Sequence, residues 1–398
     1  MSKTVIVSEY FYPNNSSTSQ YLTEISNTLS ELYSENIQII CNSNLSNQNE
    51  LDFAKERIIR LPESTLDKNK KISRILKVLI STFKLGAAAF RSLKSGDKLF
   101  TVTNPAFLLV VFALFKKIKT FHYTLLVYDV FPENLIAAGL TKKHSILYTI
   151  TKKVFDWAYA QADLLVVIGR DMQELITEKT HGQVPTVLIP NWCDVDTIVP
   201  SSKNGNPIIR KFDLETSTVF AFTGNFGRAQ GIETLLKAAS LVTRKDFKLL
   251  FIGEGAMRPM IEKYIRENPE GNVIYAGSYP AAEHNVFLNA CDVAVVSLGD
   301  NMYGLGVPSK SYYNMAAAKP LFFIGNQHSE IARVIHENQI GWNCSSDQPE
   351  SIATAIDHIC EEKDTFAIVG KKSRQTAETN FSKSIILEKY KKLLGEYR

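Results

Sequence analysis

The feature that most constrains this chain is a strand–helix alternation that runs through it twice, with one polar interruption between the two runs. Short apolar segments at residues 4–8, 37–41, 98–102, 123–128 and 164–168, with a weaker one at 57–61, are each bounded by polar residues. Most are followed by segments of helical periodicity, as at 18–33, where Tyr21, Leu22, Ile25, Leu29 and Leu32 share a face, and at 72–93. Runs that are apolar on every residue suit strands covered on both faces, which a parallel sheet flanked by helices supplies. After a further strand at 186–189 the pattern stops at Pro190-Asn191-Trp192 and a polar stretch containing Pro200, Asn204, Gly205 and Pro207. It then restarts, with strands at 219–223, 248–252, 273–275, 293–297 and 321–324 and helices from near Gly231, Arg258, Glu283, Pro308 and Ser329. A last amphipathic helix is expected over 383–397.

The reading is therefore an α/β chain of two Rossmann-like domains facing across a cleft. Residues 1–195 form the first domain, with the helix at 380–398 packing back on it, and residues 196–379 form the second. A length of 398 residues fits two domains of roughly 150–200 residues each. The first apolar run ends at once in Ser8-Glu9, and the longest apolar stretch, 106–115, is too short to span a bilayer. A cytoplasmic protein is expected. The five cysteines show no metal-ligand spacing, so free thiols and no metal site are expected.

In open parallel sheets ligands gather at the carboxyl ends of the strands, which directs attention to four loops. Gly224-Asn225-Phe226-Gly227-Arg228-Ala229-Gln230-Gly231 follows a strand and precedes a helix. Its glycines allow backbone N–H groups to approach an anion, and Arg228 can fork onto phosphate oxygens; a tight glycine turn with a solvent-facing arginine is the structural alternative. Gly304-Leu305-Gly306-Val307-Pro308-Ser309-Lys310 places Pro308 where a helix begins, with Ser309 and Lys310 beside its free amides. A capping serine and a solvated lysine are the structural alternative there. Tyr128-Asp129-Val130-Phe131-Pro132-Glu133 sets two carboxylates after a buried strand, suited to base or hydroxyl-binding work or to helix capping. Tyr12-Pro13-Asn14-Asn15-Ser16-Ser17-Thr18 offers ligand contacts or, through Ser17 or Thr18, a helix cap.

In order and spacing these segments resemble glycosyltransferase family 4, the retaining GT-B enzymes, over nearly the whole chain. They are most similar to the branch that builds bacterial O-antigen or capsule, exemplified by fucosamine-type transferases. Ile189-Pro190-Asn191-Trp192 and Phe251-Ile252-Gly253-Glu254-Gly255 belong to the same likeness. The resemblance implies that the second domain binds a nucleotide-sugar, expected to be UDP-linked. Arg228 and Lys310 would clamp the diphosphate, with Ser309 and the segment carrying Gly224, Asn225, Gly227 and Gln230, while Ser278 and Tyr279 would meet the base. The first domain would take a glycan or lipid-diphosphate-linked acceptor through Ser16, Ser17, Thr18 and Asp129, with Glu133 a further catalytic candidate.

Three departures stand out. Asn225 and Gln230 occupy places where many members carry Arg and Lys. Leu305 and Tyr313 replace a pair of glutamates, so that Tyr313 is the candidate for the ribose contact. Ser16 and Ser17 replace a Gly-Gly pair. No cofactor is implied beyond the nucleotide-sugar co-substrate. A nucleotide-sugar 2-epimerase and a non-catalytic partner subunit of the same fold are the alternatives. A dehydrogenase is disfavoured, because no Gly-x-Gly-x-x-Gly follows the first strand.

Net charge is only +4, yet the interval 68–119 holds twelve Lys or Arg and one acid, Asp97. Lys68, Lys70, Lys71, Arg74, Lys77, Lys84, Arg91 and Lys94 alternate there with Ile72, Ile75, Leu76, Leu79, Ile80, Phe83, Leu85 and Phe90. That pattern predicts peripheral docking on the anionic inner face of the cell membrane. Nucleic acid is not expected, since the second half is not basic.

Overall fold

The computed structural model describes residues 2–14, 16–33, 36–43, 57–63, 71–137, 139–345 and 347–396. Lys68, Lys70, Asn15 and the end of the last helix at Tyr397 lie outside these residues, as do the side chains of Leu32, Lys71, Ile72 and Arg74. The chain divides into two compact units. The first comprises Met1–Pro190, Gly304–Gly306 and Leu387–Arg398, and the second comprises Asn191–Tyr303 and Val307–Ile386.

In the first unit the order is β1 (Thr4–Ser8), α1 (Ser17–Tyr33), β2 (Ile37–Asn42), β3 (Ile58–Leu61), α2 (Lys71–Ser92), β4 (Lys98–Val102), α3 (Leu108–Phe115), β5 (His122–Val127), α4 (Glu133–Ala137), α5 (Ile146–Tyr159), β6 (Leu164–Val167), α6 (Arg170–Lys179) and β7 (Thr186–Leu188). The seven strands lie in the order β3-β2-β1-β4-β5-β6-β7, and their pairings are parallel. The second unit holds α7 (Pro207–Lys211), β8 (Thr218–Asn225), α8 (Ile232–Leu241), β9 (Phe247–Glu254), α9 (Arg258–Glu267), β10 (Val273–Tyr275), α10 (His284–Leu288), β11 (Val293–Ser297), α11 (Lys310–Ala316), β12 (Leu321–Ile324), α12 (Glu330–Asn338), β13 (Gly341–Cys344), α13 (Pro349–Glu361) and α14 (Phe366–Asn380). Its six parallel strands run β10-β9-β8-β11-β12-β13. The last helix, α15 (Lys383–Glu396), has its Leu387 and later residues in the first unit, where Leu394 lines a cavity with Thr4, Leu29 and Phe100.

The central strands are buried along their length, β1 and β11 on every residue, because helices cover both faces of each sheet. The second sheet has two apolar layers. Phe220, Phe222, Phe226, Phe247, Phe251 and Phe322 fill one side with tilted and edge-on ring contacts, and Ala221, Ile252, Val296, Tyr312 and Met315 belong to the other. Ring pairs of this kind contribute ~0.5–1.5 kcal/mol each beyond the area they bury. All five cysteines are buried free thiols.

Each sheet reverses its order once, between β1 and β4 and between β8 and β11. Such a switch point leaves a crevice beyond the carboxyl ends of the two flanking strands. In the second unit those strands lead into the Arg228 loop and the Lys310 segment.

Candidate active site

The Arg228 loop is fixed before its arginine is reached. Strand β8 is buried as far as Thr223 and surfaces at Gly224 and Asn225. Gly224 has φ +92°, a conformation that a Cβ would strain. On the neighbouring strand Gly253 pairs with Gly224, and a Cβ there would overlap the Gly224 carbonyl, so the second glycine motif exists to let two backbones close on each other. The chain then turns: the Phe226 N–H donates to Glu254 O (2.7 Å) and the Gly227 N–H to Gln230 Oε1 (3.3 Å). The short 3-10 turn Arg228–Gln230 is held by the Gly299 N–H on Ala229 O (2.8 Å) and by the Ser297 hydroxyl on Gln230 O. Both donors come from the carboxyl end of β11. Gln230 is thus a brace for the loop, and Arg228 is left with its side chain exposed above it.

Lys310 is the most unusual residue of the site. Helix α11 begins at Lys310, two residues later than the position of Pro308 suggested. The Ser311 and Tyr312 N–H groups donate to Pro308 O (3.2 Å) and Ser309 O (3.1 Å), a tighter turn that delays the helix. Ser309 stands at the N-cap with a helical backbone and makes no side-chain cap bond, so the capping alternative for its hydroxyl is not what the structure contains. The solvated-lysine alternative is corrected too. Lys310 Nζ is buried, lies 3.6 Å from the Phe222 ring centroid, and has no hydrogen-bond partner among the described residues. Burial alone lowers its pKa from the usual lysine value to about 7. An ammonium removed from water costs several kcal/mol, and a ring face returns only about 2. The remaining deficit is what an arriving anion would relieve.

Tyr313 lies one turn along α11, partly buried against the core, and Ser309 is half-buried. Ser278 is exposed and Tyr279 half-buried in the loop after β10, which is two strands away from β8. That loop is tied to the glycine pair by the Gly253 N–H on Gly277 O (2.9 Å). The structure therefore brings together Phe222, the Arg228 loop and Lys310 around the switch point. It keeps Ser278 and Tyr279 at the edge of the sheet.

In the first unit Asp129 follows β5 and is half-buried. Asn104 Nδ2 donates to its Oδ2 (3.2 Å) and Asn134 Nδ2 to its Oδ1 (3.0 Å), and its own N–H donates to Thr103 Oγ1 (3.0 Å). Burial raises its pKa, opposed by the two amide donors. Asn134 Oδ1 and, separately, the Tyr128 hydroxyl, whose ring stacks on Tyr21, are buried without hydrogen-bond partners among the described residues. Thr103, Asn104 and Asn134 were missed by sequence reasoning. The first two could have been found by the rule that led to Asp129, since they directly follow β4.

Glu133 is otherwise engaged. Lys179, with no exposed side-chain surface, places Nζ 2.7 Å from its carboxylate and 2.5 Å from Asp156, and Lys152 stands 3.5 Å away. In the first loop the helix cap is Ser16, not Ser17 or Thr18: the Ser19 N–H donates to Ser16 Oγ (3.3 Å), and Ser17 is already the first residue of α1. Ser17 is exposed and Thr18 half-buried.

These geometries agree with what the chain is related to. Residues 217–362 match the family model for glycosyl transferases group 1. The chain is 40% identical over 335 residues to a probable glycosyltransferase, WbjE, of Pseudomonas aeruginosa, covering 84% of this chain and 83% of that one. Among solved structures it resembles a sucrose-phosphate synthase from Thermosynechococcus elongatus (TM-score 0.76, 16% identity, 100% and 99% of the two chains). It also resembles HepE of Anabaena in complex with UDP (TM-score 0.72, 14% identity, 99% and 100%). A third is WaaG, a glycosyltransferase involved in lipopolysaccharide biosynthesis (TM-score 0.67, 11% identity, 98% and 99%). The fold is that of the two-domain GT-B glycosyltransferases, and the chain is an enzyme of the group 1 glycosyltransferase family.

Proposed function

We propose that the enzyme is a retaining transferase of family 4, close to the fucosamine-type branch, that moves a sugar from a UDP-linked donor to a glycan or lipid-linked acceptor in O-antigen or capsule synthesis. The observation that carries this reading is Lys310: a buried cation, unpaired among the described residues, beside a glycine-rich turn bearing an exposed arginine. A diphosphate supplies the anion that such a site lacks. As the bond from the anomeric carbon to the diphosphate breaks, negative charge gathers on the leaving oxygen. Lys310 and Arg228 neutralise it, with the backbone of Gly224, Asn225 and Gly227 close by and no metal invoked. The new bond forms to an acceptor oxygen, whose proton passes to the departing diphosphate.

Tyr313 takes the ribose, Ser309 a phosphate oxygen, and Ser278 and Tyr279 the base. The first unit receives the acceptor. Asp129, held by Asn104 and Asn134, orients it or stabilises positive charge developing on the sugar, and Ser16, Ser17 and Thr18 are the further acceptor contacts. Glu133 positions the Asp129 loop through Lys179. Peripheral attachment at the inner face of the cell membrane completes the reading.

The experiment is a thermal-shift panel of UDP, GDP, ADP and dTDP on the wild type and Lys310→Ala. A ligand bound only by the native state at a hundred times its Kd adds about 2.7 kcal/mol of stability. A shift with UDP alone, lost in the variant, is the expected result. No shift with any nucleotide would end the reading.

A further inference from the structure

We infer that the first unit seats on an anionic bilayer chiefly through α5 and the turn before it, with α2 as the lesser contact. The inference rests on the proposal that the acceptor is held at a membrane. Helix α5 is apolar on two sides. Its inward face buries Tyr148, Phe155, Ala158 and Tyr159. Its outward face nevertheless carries Ile146, Leu147 and Ile150, exposed by 80%, 66% and 57%. A helix that has already buried one apolar stripe has no folding reason for a second, which therefore calls for a covering. Lys142, Lys143 and Lys153 fringe this stripe and are exposed, and their side chains make no hydrogen bond or ion pair among the described residues.

The basic interval singled out in the sequence is different. There Lys77 pairs with Glu63 (3.5 Å), and Lys84 donates to Pro62 O (3.1 Å). Lys116 pairs with Asp163, while Lys119 donates to Leu93 O (2.8 Å) and lies over the Phe90 ring. Arg91, Lys94 and Lys117 stay exposed with no side-chain partner among the described residues, but they stand where α2 and α3 end, at the amino edge of the sheet; the remaining free cations are those of α5 and the turn before it, although α2 keeps exposed apolar residues such as Phe83 (77%) and Ile75 (61%).

Topology places the two patches together. Helices α2, α3 and α5 pack side by side in that order. Crossover helices run antiparallel to the strands they join, so α2 and α5 both begin at the carboxyl edge of the sheet. Asp129 lies at that edge, on the chain segment leading from β5 into α5. A lipid-borne acceptor would thus be presented at the edge that holds Asp129. The occupant is a bilayer rather than a second copy, because a two-fold contact on this face would bring its free lysines against one another.

The test is co-sedimentation of the full chain with phosphatidylcholine vesicles with and without phosphatidylglycerol. Wild type is expected to bind the anionic vesicles. Leu147→Ser/Ile150→Ser and Lys142→Gln/Lys143→Gln/Lys153→Gln should each lower the partition coefficient by about tenfold or more while leaving the UDP-induced melting shift intact. Leu79→Ser/Phe83→Ser should lower it less. If the α2 pair abolishes binding and the α5 variants bind as wild type, membrane docking stands and this assignment falls. Absence of wild-type binding to either vesicle ends both, whereas the nucleotide panel tests donor chemistry independently. Light scattering that showed a wild-type dimer and monomeric α5 variants, with vesicle binding unchanged, would assign the face to self-association instead.

Discussion

Lys310 sets the terms at the residue scale, because its stability cost and its proposed work have opposite signs. Its pKa in the folded chain, about 7, is below that of an unfolded lysine. Between the two values the unfolded state binds more protons, so stability rises with pH from about 7 towards 10.5 and the penalty is fully present below 7. Lys310→Met is therefore expected to raise Tm at pH 6–7, with a gain that vanishes above pH 10, read by thermal melts across pH. Replacing buried ionic groups by apolar ones elsewhere gives about 1–4 kcal/mol.

The same substitution should remove activity. Losing one donor to a developing anion typically costs about 3 kcal/mol, more than a hundredfold in kcat, read with any competent donor–acceptor pair. Because a diphosphate draws the proton back onto Lys310, UDP affinity measured by calorimetry should fall as pH rises from 7.5 to 9, by up to about tenfold per unit. Asp129 was legible in the sequence as a carboxylate after a strand, and Lys310 as a cation at an expected helix start. The Phe222 ring beneath Lys310 was not, since only the sheet brings residues so far apart in sequence into contact.

At the scale of elements, most strands were readable to within a residue or two because buried parallel strands are apolar on every position, as in Val293–Ser297. Strand β13 escaped: Gly341-Trp342-Asn343-Cys344 is an edge strand, mostly half-buried, with no apolar run to announce it. Helices α13 and α14 escaped as well, α13 despite the signal of Pro349 at its first turn.

What the alternation did not reveal is why particular glycines stand at strand ends. Gly253, at φ +143° with the Gly224 backbone where a side chain would be, is the clearest case. Gly253→Ala should cost at least about 2 kcal/mol in chemical denaturation, from both strain and overlap. The ion-pair cluster joining α4, α5 and α6 gives a second prediction. Lys179→Ala leaves Glu133 and Asp156 without their shared buried partner and should cost about 3–5 kcal/mol. Adding Glu133→Gln should restore part of that loss, as the excess negative charge falls.

For the molecule as a whole, UDP should slow amide hydrogen exchange most in the Arg228 turn and at the start of α11, because local opening there competes directly with binding. Exchange read by mass spectrometry checks this, and protection confined to the first unit would contradict it. The polar stretch after Trp192 made a boundary legible. Nothing local in Gly304–Gly306 signals that these residues belong to the first unit, because membership is decided by what they pack against.

That membership has a consequence for recombining such enzymes. The first unit is assembled from three separate pieces of chain, the last of them the final turns of α15. A chimera spliced once at Pro190 would strip its amino-terminal half of Leu394 and supply it with a foreign tail. Exchange of the second unit between relatives would need two crossovers, one near residue 190 and one near 386, so that the terminal segment travels with the half it completes.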